Sequence, residues 1–118
     1  MGQINLARSR REYHALLDRA LDSLVEKLKK RPDVSRVSVF GSYARGRVDL
    51  FTDLDVLIIM DTAMSFGERQ RSMYELLASP VDLDLLCYTP KEFDALKDRP
   101  FFRHALRDEK ILYEKKRA

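Results

Sequence analysis

Several residue types are scarce in this sequence. It has no Trp and a single cysteine, Cys87, and it contains only four Gly and four Pro in 118 residues. A lone cysteine allows no internal disulfide and no cysteine-based zinc site, so we expect a reducing, cytoplasmic compartment. The low Gly and Pro content, together with 45% hydrophobic residues, excludes collagen-like and low-complexity chains and indicates a globular fold.

Long hydrophobic runs are also missing. No apolar segment approaches the roughly 18 residues of a membrane span, and the first residues lack the apolar core of a signal peptide. We therefore expect no membrane association. A length of 118 residues is typical of one domain, so we expect residues 1–118 to form a single domain with one core.

Charged residues are plentiful but nearly balanced. They make up 35% of the chain and leave a net charge of +3, and the basic excess is confined to residues 1–47. An excess this small does not identify nucleic acid as a partner. A nucleic-acid-binding module acting through the basic first helix stays open as an alternative, and it predicts strong salt dependence of binding.

The spacing of apolar residues predicts alternating helices and strands. A first helix is expected to begin at a capping box formed by Ser9 and Glu12 and to end before Pro32. Another helix is expected after the capping residue Thr89. The remaining elements are expected as strands over 34–40, 54–60, 81–88 and 111–113 and as helices over 66–78 and 101–106. This order indicates an α/β or α+β fold.

Two aspartates stand where a loop enters a strongly apolar strand. In the stretch FGSYARGRVDLFTDLDVLIIM, residues 40–60, Asp53 and Asp55 come just before the run VLIIM. Side chains two positions apart on a strand share a face, about 6.5–7 Å apart along the chain, so these carboxylates project together. A solvated strand end or a pair of helix-capping acids also explains such a pair, and for the pair alone these are the more common arrangements.

A second acidic pair, Asp82 and Asp84, lies in VDLDLLCY on another predicted strand. If the two strands are neighbours, about 4.8 Å apart, three carboxylates converge on one patch. Clustered carboxylates without His or Cys are hard oxygen ligands that suit one or two Mg²⁺ ions. Such ions bridge phosphates and neutralise charge during phosphoryl transfer.

The turn after the first strand supplies groups that suit phosphate. Gly41 allows a close backbone approach, and the Ser42 hydroxyl can donate to a phosphate oxygen. Arg45 and Arg47 are in reach of a triphosphate, although an ordinary turn with solvated arginines is the alternative. The segment begins like a P-loop but lacks the Lys-[ST] pair that follows the second glycine, which argues against that motif.

Together these motifs resemble those of the nucleotidyltransferases of the DNA polymerase beta superfamily. The Gly41-Ser42 pair, a gap of ten residues, Asp53-x-Asp55 and a later strand aspartate form a fairly specific combination. More narrowly, the chain looks like a minimal nucleotidyltransferase, and the segments DLLCYTPKEF and FFRHALRDEKILYE are similar to that family's closing strand, helix and tail. The resemblance implies a polymerase beta-like fold, with a small mixed β-sheet flanked by helices.

The resemblance also implies roles for individual residues. Gly41 and Ser42 would hold the triphosphate of an NTP, assisted by Arg45. Asp53 and Asp55 would bind the metal ions, expected to be two Mg²⁺.

A third carboxylate completes the implied metal site. We expect it to be Asp84, a metal ligand that in this superfamily also helps to activate the acceptor hydroxyl. Asp84 is preferred because the sequence that follows it, DLLCYTP, is the closer match to the family. Asp82 is the rival for this role.

The implied activity is Mg²⁺-dependent transfer of a nucleoside monophosphate from an NTP, expected to be ATP, to an acceptor hydroxyl. A domain this small has little surface for an acceptor pocket, so we expect the acceptor on another chain. The resemblance indicates a HEPN-domain partner, with this chain as the antitoxin of a toxin–antitoxin pair. The alternatives are a catalytically silent partner-binding module and a small-molecule, antibiotic-modifying nucleotidyltransferase, and a homo-oligomer is compatible with each.

Overall fold

A four-stranded mixed β-sheet forms the centre of the structure. Its strands are β1 (Val34–Phe40), β2 (Leu54–Met60), β3 (Leu83–Tyr88) and β4 (Lys110–Glu114). The computed structural model describes residues 5–116, and the strand order is β3-β2-β1-β4. β1 is antiparallel to β2 and β4, whereas β2 and β3 are parallel. The mixed sheet confirms the predicted architecture.

Helices precede or connect the strands. They are α1 (Leu6–Lys29), α2 (Gly41–Ala44), α3 (Phe66–Leu77), α4 (Pro90–Leu96) and α5 (Pro100–Ala105). The predicted capping box of α4 is confirmed, because the Thr89 hydroxyl accepts from the Glu92 amide and the Glu92 carboxylate accepts from the Thr89 amide. The predicted second strand is confirmed as a central strand, since β2 lies between β3 and β1.

Helices pack on both faces of the sheet because successive residues of its strands are apolar on both sides. On one face, Val56 of β2 packs with Leu21 of α1 and Met73 of α3 in the larger core. On the other face, Leu57 of β2 packs with Phe93 of α4 in a smaller cluster. This second, thinner layer leaves one end of the sheet free for polar side chains.

The first helix begins earlier than predicted. Ser9 was expected to cap it together with Glu12, but α1 begins at Leu6, and the side chain of Asn5 accepts from the Arg8 amide at 3.0 Å. Asn is as good a cap as Ser, and Asn5 stands one helical turn upstream. The Glu12 carboxylate instead accepts from the Arg8 side chain at 3.0 Å, on the surface of the helix.

The turn predicted after β1 is in fact a short helix. Helix α2 has only four residues, and its last turn is closed by the Arg45 amide, which donates to the Gly41 carbonyl at 3.1 Å. The Arg47 amide donates to the Ser42 carbonyl at 2.9 Å and continues the helical turn beyond α2. A helix of four residues is too short to show a 3.6-residue period, so hydrophobic spacing cannot predict it.

Side chains of α3, rather than another strand, cover the outer edge of β3. The Gln70 side chain donates to the Leu85 carbonyl at 2.7 Å and accepts from the Cys87 amide at 2.8 Å. The Tyr74 hydroxyl donates to the Leu83 carbonyl at 3.2 Å and accepts from the Leu85 amide at 3.0 Å. Two side chains therefore satisfy the backbone groups that an edge strand normally leaves open.

No helix among residues 5–116 combines the length and apolar character needed to cross a bilayer. Cys87 is fully buried in the larger core, as expected for a small core residue. The cytoplasmic location and the single-domain organisation remain predictions.

Candidate active site

The three expected carboxylates lie on one face at one end of the sheet. Asp53 comes directly before β2, Asp55 is the second residue of β2, and Asp84 is the second residue of β3. Leu57 of β2 and Leu86 of β3 belong to the smaller hydrophobic cluster. Because side chains alternate along a strand, the aspartates share the face of these two leucines, beyond the part that the cluster covers.

The strand register brings Asp84, and not Asp82, opposite Asp55. β2 and β3 pair in parallel with Asp55 beside Asp84. Asp82 lies outside β3, where its backbone carbonyl accepts from the Leu54 amide at 3.1 Å. A cleft of about 430 Å³ is lined by Asp53, Asp55 and Asp84.

Burial and the charges of neighbouring carboxylates make Asp53 and Asp55 costly to ionise. They raise the pKa of Asp55 from 3.8 to about 6, with burial as the largest cause, followed by the charge of Asp84 and a hydrogen bond shared with Asp84. The nearby Arg45 guanidinium acts in the opposite direction. Burial, Asp84 and Asp82 also raise the pKa of Asp53. Carboxylates in this state favour a cation between them.

Only glycine fits at position 41, because the backbone there lies against the carboxylate of Asp55. Its φ of +73° lies in the left-handed region, and a Cβ at this position would overlap the Oδ2 atom of Asp55. The other residue with a positive φ in the described chain, Gly46, has no neighbour within 4 Å of such a Cβ. Gly41 therefore serves both the turn and the close approach of α2 to the aspartates.

The remaining walls of the cleft come from α2 and from the loop that precedes β2. They are formed by Ser42, Arg47, Asp49, Phe51 and Thr52. Ser42 thus lies where it was expected. Arg45, the expected phosphate-binding arginine, is exposed and lines a neighbouring hollow with Lys110, and its guanidinium still acts on the pKa of Asp55. Arg47 lines both that hollow and the acidic cleft.

The loop before β2 contains cleft residues that were not predicted. The Asp49 carboxylate accepts from the Phe51 amide at 2.8 Å, and the Thr52 hydroxyl accepts from the Asp49 amide at 2.9 Å. These bonds hold a tight turn that leaves the Phe51 ring 90% exposed beside the acids. The closeness of the segment to Asp53 was the one signal available in the sequence, and it does not distinguish a wall residue from a solvated one.

The donor set of the cleft fits Mg²⁺. All three side chains offer carboxylate oxygens, the ligands that this ion prefers, without a competing His or Cys. Within residues 5–116, no three His, Cys, Asp or Glu side chains already converge into a metal-holding group. Asp55 and Asp84 are nevertheless close enough to share a hydrogen bond, and the repulsion between their charges favours a cation between them.

Comparison with known families agrees with this geometry. The sequence model described as polymerase beta, nucleotidyltransferase, matches residues 22–118. The chain belongs to the polymerase beta nucleotidyltransferase family. The match covers both acidic pairs and the Gly41-Ser42 turn, and it leaves out the first two thirds of α1.

A curated relative from Methanocaldococcus jannaschii, named as a candidate protein adenylyltransferase, is 37% identical over 57 residues. The match covers 41% of this chain and 58% of the relative. The chain therefore spans little more than half of the length of the relative it matches.

Solved structures with a similar fold include a candidate nucleotidyltransferase and two toxin–antitoxin proteins. A candidate nucleotidyltransferase from Sulfolobus solfataricus superposes with a TM-score of 0.57 at 19% identity, over 98% of this chain and 93% of the other. The MntA-HpeT toxin–antitoxin gives a TM-score of 0.50 at 18% identity, over 81% of this chain and 73% of the other. A toxin–antitoxin crystallised with AMP-PNP gives 0.50 at 17% identity, over 83% and 73%.

The contact between Gly41 and Asp55 predicts unequal effects at the two left-handed glycines. Gly46→Ala introduces backbone strain alone and should lower the free energy of unfolding by about 1 kcal/mol. Gly41→Ala adds a steric overlap with Asp55 and should cost at least about 1 kcal/mol more. Urea denaturation of both variants measures the difference, and equal losses would contradict the contact.

The raised pKa of Asp55 predicts a pH-dependent cost to stability in the absence of metal. Since the folded pKa of about 6 exceeds the ordinary value of 3.8, the folded protein holds a proton that the unfolded chain releases in this window. Stability therefore falls as pH rises through it, and ionised Asp55 destabilises the fold above pH 6. In EDTA, Asp55→Asn should raise the Tm by about 2–5 °C at pH 7.5.

The increase in Tm caused by Asp55→Asn should shrink as the pH is lowered below 5, because wild-type Asp55 is already protonated in the folded protein there. Asp61→Asn, at an exposed carboxylate outside the cleft, is the matched control and should leave the Tm unchanged at both pH values. Calorimetric melting curves in EDTA provide the measurement. A gain of the same size at pH 4.5 and 7.5 would contradict the assignment of the cost to Asp55 ionisation.

Proposed function

We propose that this protein is a Mg²⁺-dependent nucleotidyltransferase that transfers a nucleoside monophosphate from an NTP, most simply ATP, to a hydroxyl of a partner protein. The observation that carries the proposal is the cleft in which Asp53, Asp55 and Asp84 share one face beside the Gly41-Ser42 turn. Membership of the polymerase beta nucleotidyltransferase family supports the same activity.

The turn after β1 binds the triphosphate in this proposal. Ser42 lines the cleft, so its hydroxyl can donate to a phosphate oxygen. Arg47 lines the cleft and Arg45 the adjoining hollow, where their guanidinium groups oppose the negative charge of the phosphates. Gly41 keeps this turn against Asp55, which sets the phosphates beside the carboxylates.

The carboxylates hold the metal and handle the proton of the acceptor. Asp53, Asp55 and Asp84 would hold Mg²⁺, which would supply neutralisation of the phosphate charge during transfer. A carboxylate oxygen of Asp84, at the exposed side of the cluster, accepts the proton of the incoming hydroxyl. The acceptor oxygen forms a bond to the α-phosphorus, the bond from that phosphorus to the β-phosphate oxygen breaks, and pyrophosphate leaves.

The acceptor is proposed to belong to a HEPN-domain partner, with this protein as the antitoxin of the pair. The open cleft supports an acceptor on another chain, because the described residues supply its floor and rim but no cover. Two structures that share the fold are toxin–antitoxin proteins, and one of them was crystallised with AMP-PNP. The name of the curated relative, a candidate protein adenylyltransferase, supports a protein acceptor.

The proposal predicts metal-dependent nucleotide binding that needs the aspartates. Wild-type protein should bind ATP in the presence of Mg²⁺ and lose at least about tenfold in affinity in EDTA, since the phosphates and carboxylates repel each other without the ion. The double variant Asp53→Asn/Asp55→Asn should lose the part of its ATP affinity that depends on Mg²⁺. Isothermal titration calorimetry measures both without knowledge of the acceptor.

Asp61→Asn serves as a control for the change in net charge, because Asp61 is exposed and outside the cleft. It should bind Mg²⁺ and ATP as the wild type does. Absence of ATP binding by the wild type in every condition would overturn the enzyme proposal and favour a partner-binding module. Binding that survives the double variant unchanged would remove these two aspartates from the site.

The register of β2 and β3 predicts different effects for the two later aspartates. Asp84→Asn should raise the Mg²⁺ concentration that gives half-maximal ATP binding by roughly tenfold or more, because a direct ligand is lost. Asp82→Asn should change it by less than about threefold, because Asp82 acts only through its charge near Asp53. Titration of Mg²⁺ at fixed ATP measures both, and the reverse order would move the role to Asp82.

A further inference from the structure

Two tyrosine hydroxyls hold the backbone segments that carry the acidic cluster. We infer that these residues, Tyr13 of α1 and Tyr74 of α3, are positioning residues. Tyr13 acts on Asp53 and Tyr74 on Asp84, so that side chains outside the cleft fix the positions of the proposed metal ligands. The inference rests on the proposed function, because the positioned groups are its proposed metal ligands.

Tyr13 fixes the residue immediately before Asp53. Its hydroxyl donates to the Thr52 carbonyl at 2.8 Å across 39 residues of sequence. Thr52 is itself buried, and its hydroxyl accepts from the Asp49 amide. The loop before β2 is thus closed on itself by Asp49 and Thr52 and fastened to α1 by Tyr13, which leaves Asp53 little freedom to move away from Asp55.

Tyr74 fixes both neighbours of Asp84. Its hydroxyl donates to the Leu83 carbonyl and accepts from the Leu85 amide, at 3.2 Å and 3.0 Å. β3 is an edge strand, so among residues 5–116 no further strand pairs with its outer side, where side chains of α3 bond to its backbone instead. One hydroxyl therefore brackets the Asp84 backbone from the side opposite Asp55, while β2 holds it from the other side.

Such outside support is needed because the three carboxylates repel one another. Without a cation the three carboxylates tend to move apart. Binding of the ion then costs the conformational entropy that is lost when their backbone segments are fixed again. A segment that a side-chain hydrogen bond already holds in place loses less conformational entropy when the ion binds. Tyr13 and Tyr74 are therefore expected to improve metal affinity without touching the metal or the nucleotide.

The test replaces each hydroxyl by hydrogen, in Tyr13→Phe and Tyr74→Phe. Each should raise the Mg²⁺ concentration for half-maximal ATP binding by roughly 3- to 10-fold, the value of one hydrogen bond. ATP affinity at saturating Mg²⁺ should return to the wild-type value, because the phosphate-binding turn is intact. The double variant should show roughly the product of the two effects, since the tyrosines hold separate segments.

Tyr88→Phe is the matched control. Tyr88 lies on β3 as well, and its hydroxyl makes no hydrogen bond to another residue within 5–116, so this substitution should leave the Mg²⁺ requirement unchanged. A general loss of fold would lower binding at every metal concentration. Rescue by Mg²⁺ alone therefore separates positioning from overall destabilisation.

A second readout needs neither metal nor nucleotide. In EDTA, hydrogen exchange of the Leu85 amide should accelerate in Tyr74→Phe, because its acceptor is gone, and exchange of the Phe51 and Thr52 amides should accelerate in Tyr13→Phe. Tyr88→Phe should change none of them. Exchange rates and Mg²⁺ requirements that both match the wild type would overturn the inference.

Failure of the inference and failure of the proposed function give different results. A wild-type protein that binds no ATP with Mg²⁺ refutes the proposed function, whatever the tyrosine variants do. A wild type that binds through Asp53 and Asp55, with a Mg²⁺ requirement that neither Tyr13→Phe nor Tyr74→Phe alters, refutes the positioning role alone.

Discussion

Repulsion between carboxylates on adjacent strands is the constraint around which the rest of this structure is arranged. Asp55 and Asp84 face each other because the register of β2 and β3 allows nothing else, and Asp53 adds a third charge two positions away. Both strands are anchored by buried apolar residues that resist any slip. The energy of hydrophobic packing thus holds together charges that would separate in a looser structure.

The same constraint explains the position of the turn after β1. Gly41 lets α2 approach Asp55 closely enough to narrow the cleft, and any larger residue would force the carboxylate aside. Arg45 lies near enough to lower the pKa of Asp55, though not enough to cancel the effects of burial and of Asp84. The site is left with an excess of negative charge, which is the condition for binding a divalent cation.

The sequence predicted the strands and their chemistry better than the contacts between them. Strong apolar runs identified β1 and β2, and the Asp-x-Asp spacing placed Asp53 and Asp55 on one face because the two-residue period of a strand is fixed. The preference for Asp84 came from the family's pattern, and the register now gives it a geometric basis. The helix at Gly41 was missed because four residues carry no periodic signal.

Features that depend on distant pairs of residues lay outside what a single sequence can predict. The bond from Tyr13 to Thr52 joins positions 39 residues apart, and no local pattern shows that this tyrosine reaches beyond α1. The prediction of where α1 begins was wrong for a different reason. Asn5 and Ser9 are equally good caps, and only tertiary structure selects between them.

The side chains of Gln70 and Tyr74 along β3 have a consequence for assembly. Sheets commonly recruit another chain by adding a strand at an open edge, and on β3 the outward-facing groups of Leu83, Leu85 and Cys87 are already occupied. A strand from another chain would therefore have to pair with β4, the other edge of the sheet. A protein that approaches the acidic cleft beside β3 would have to bind through side-chain contacts and not through backbone pairing.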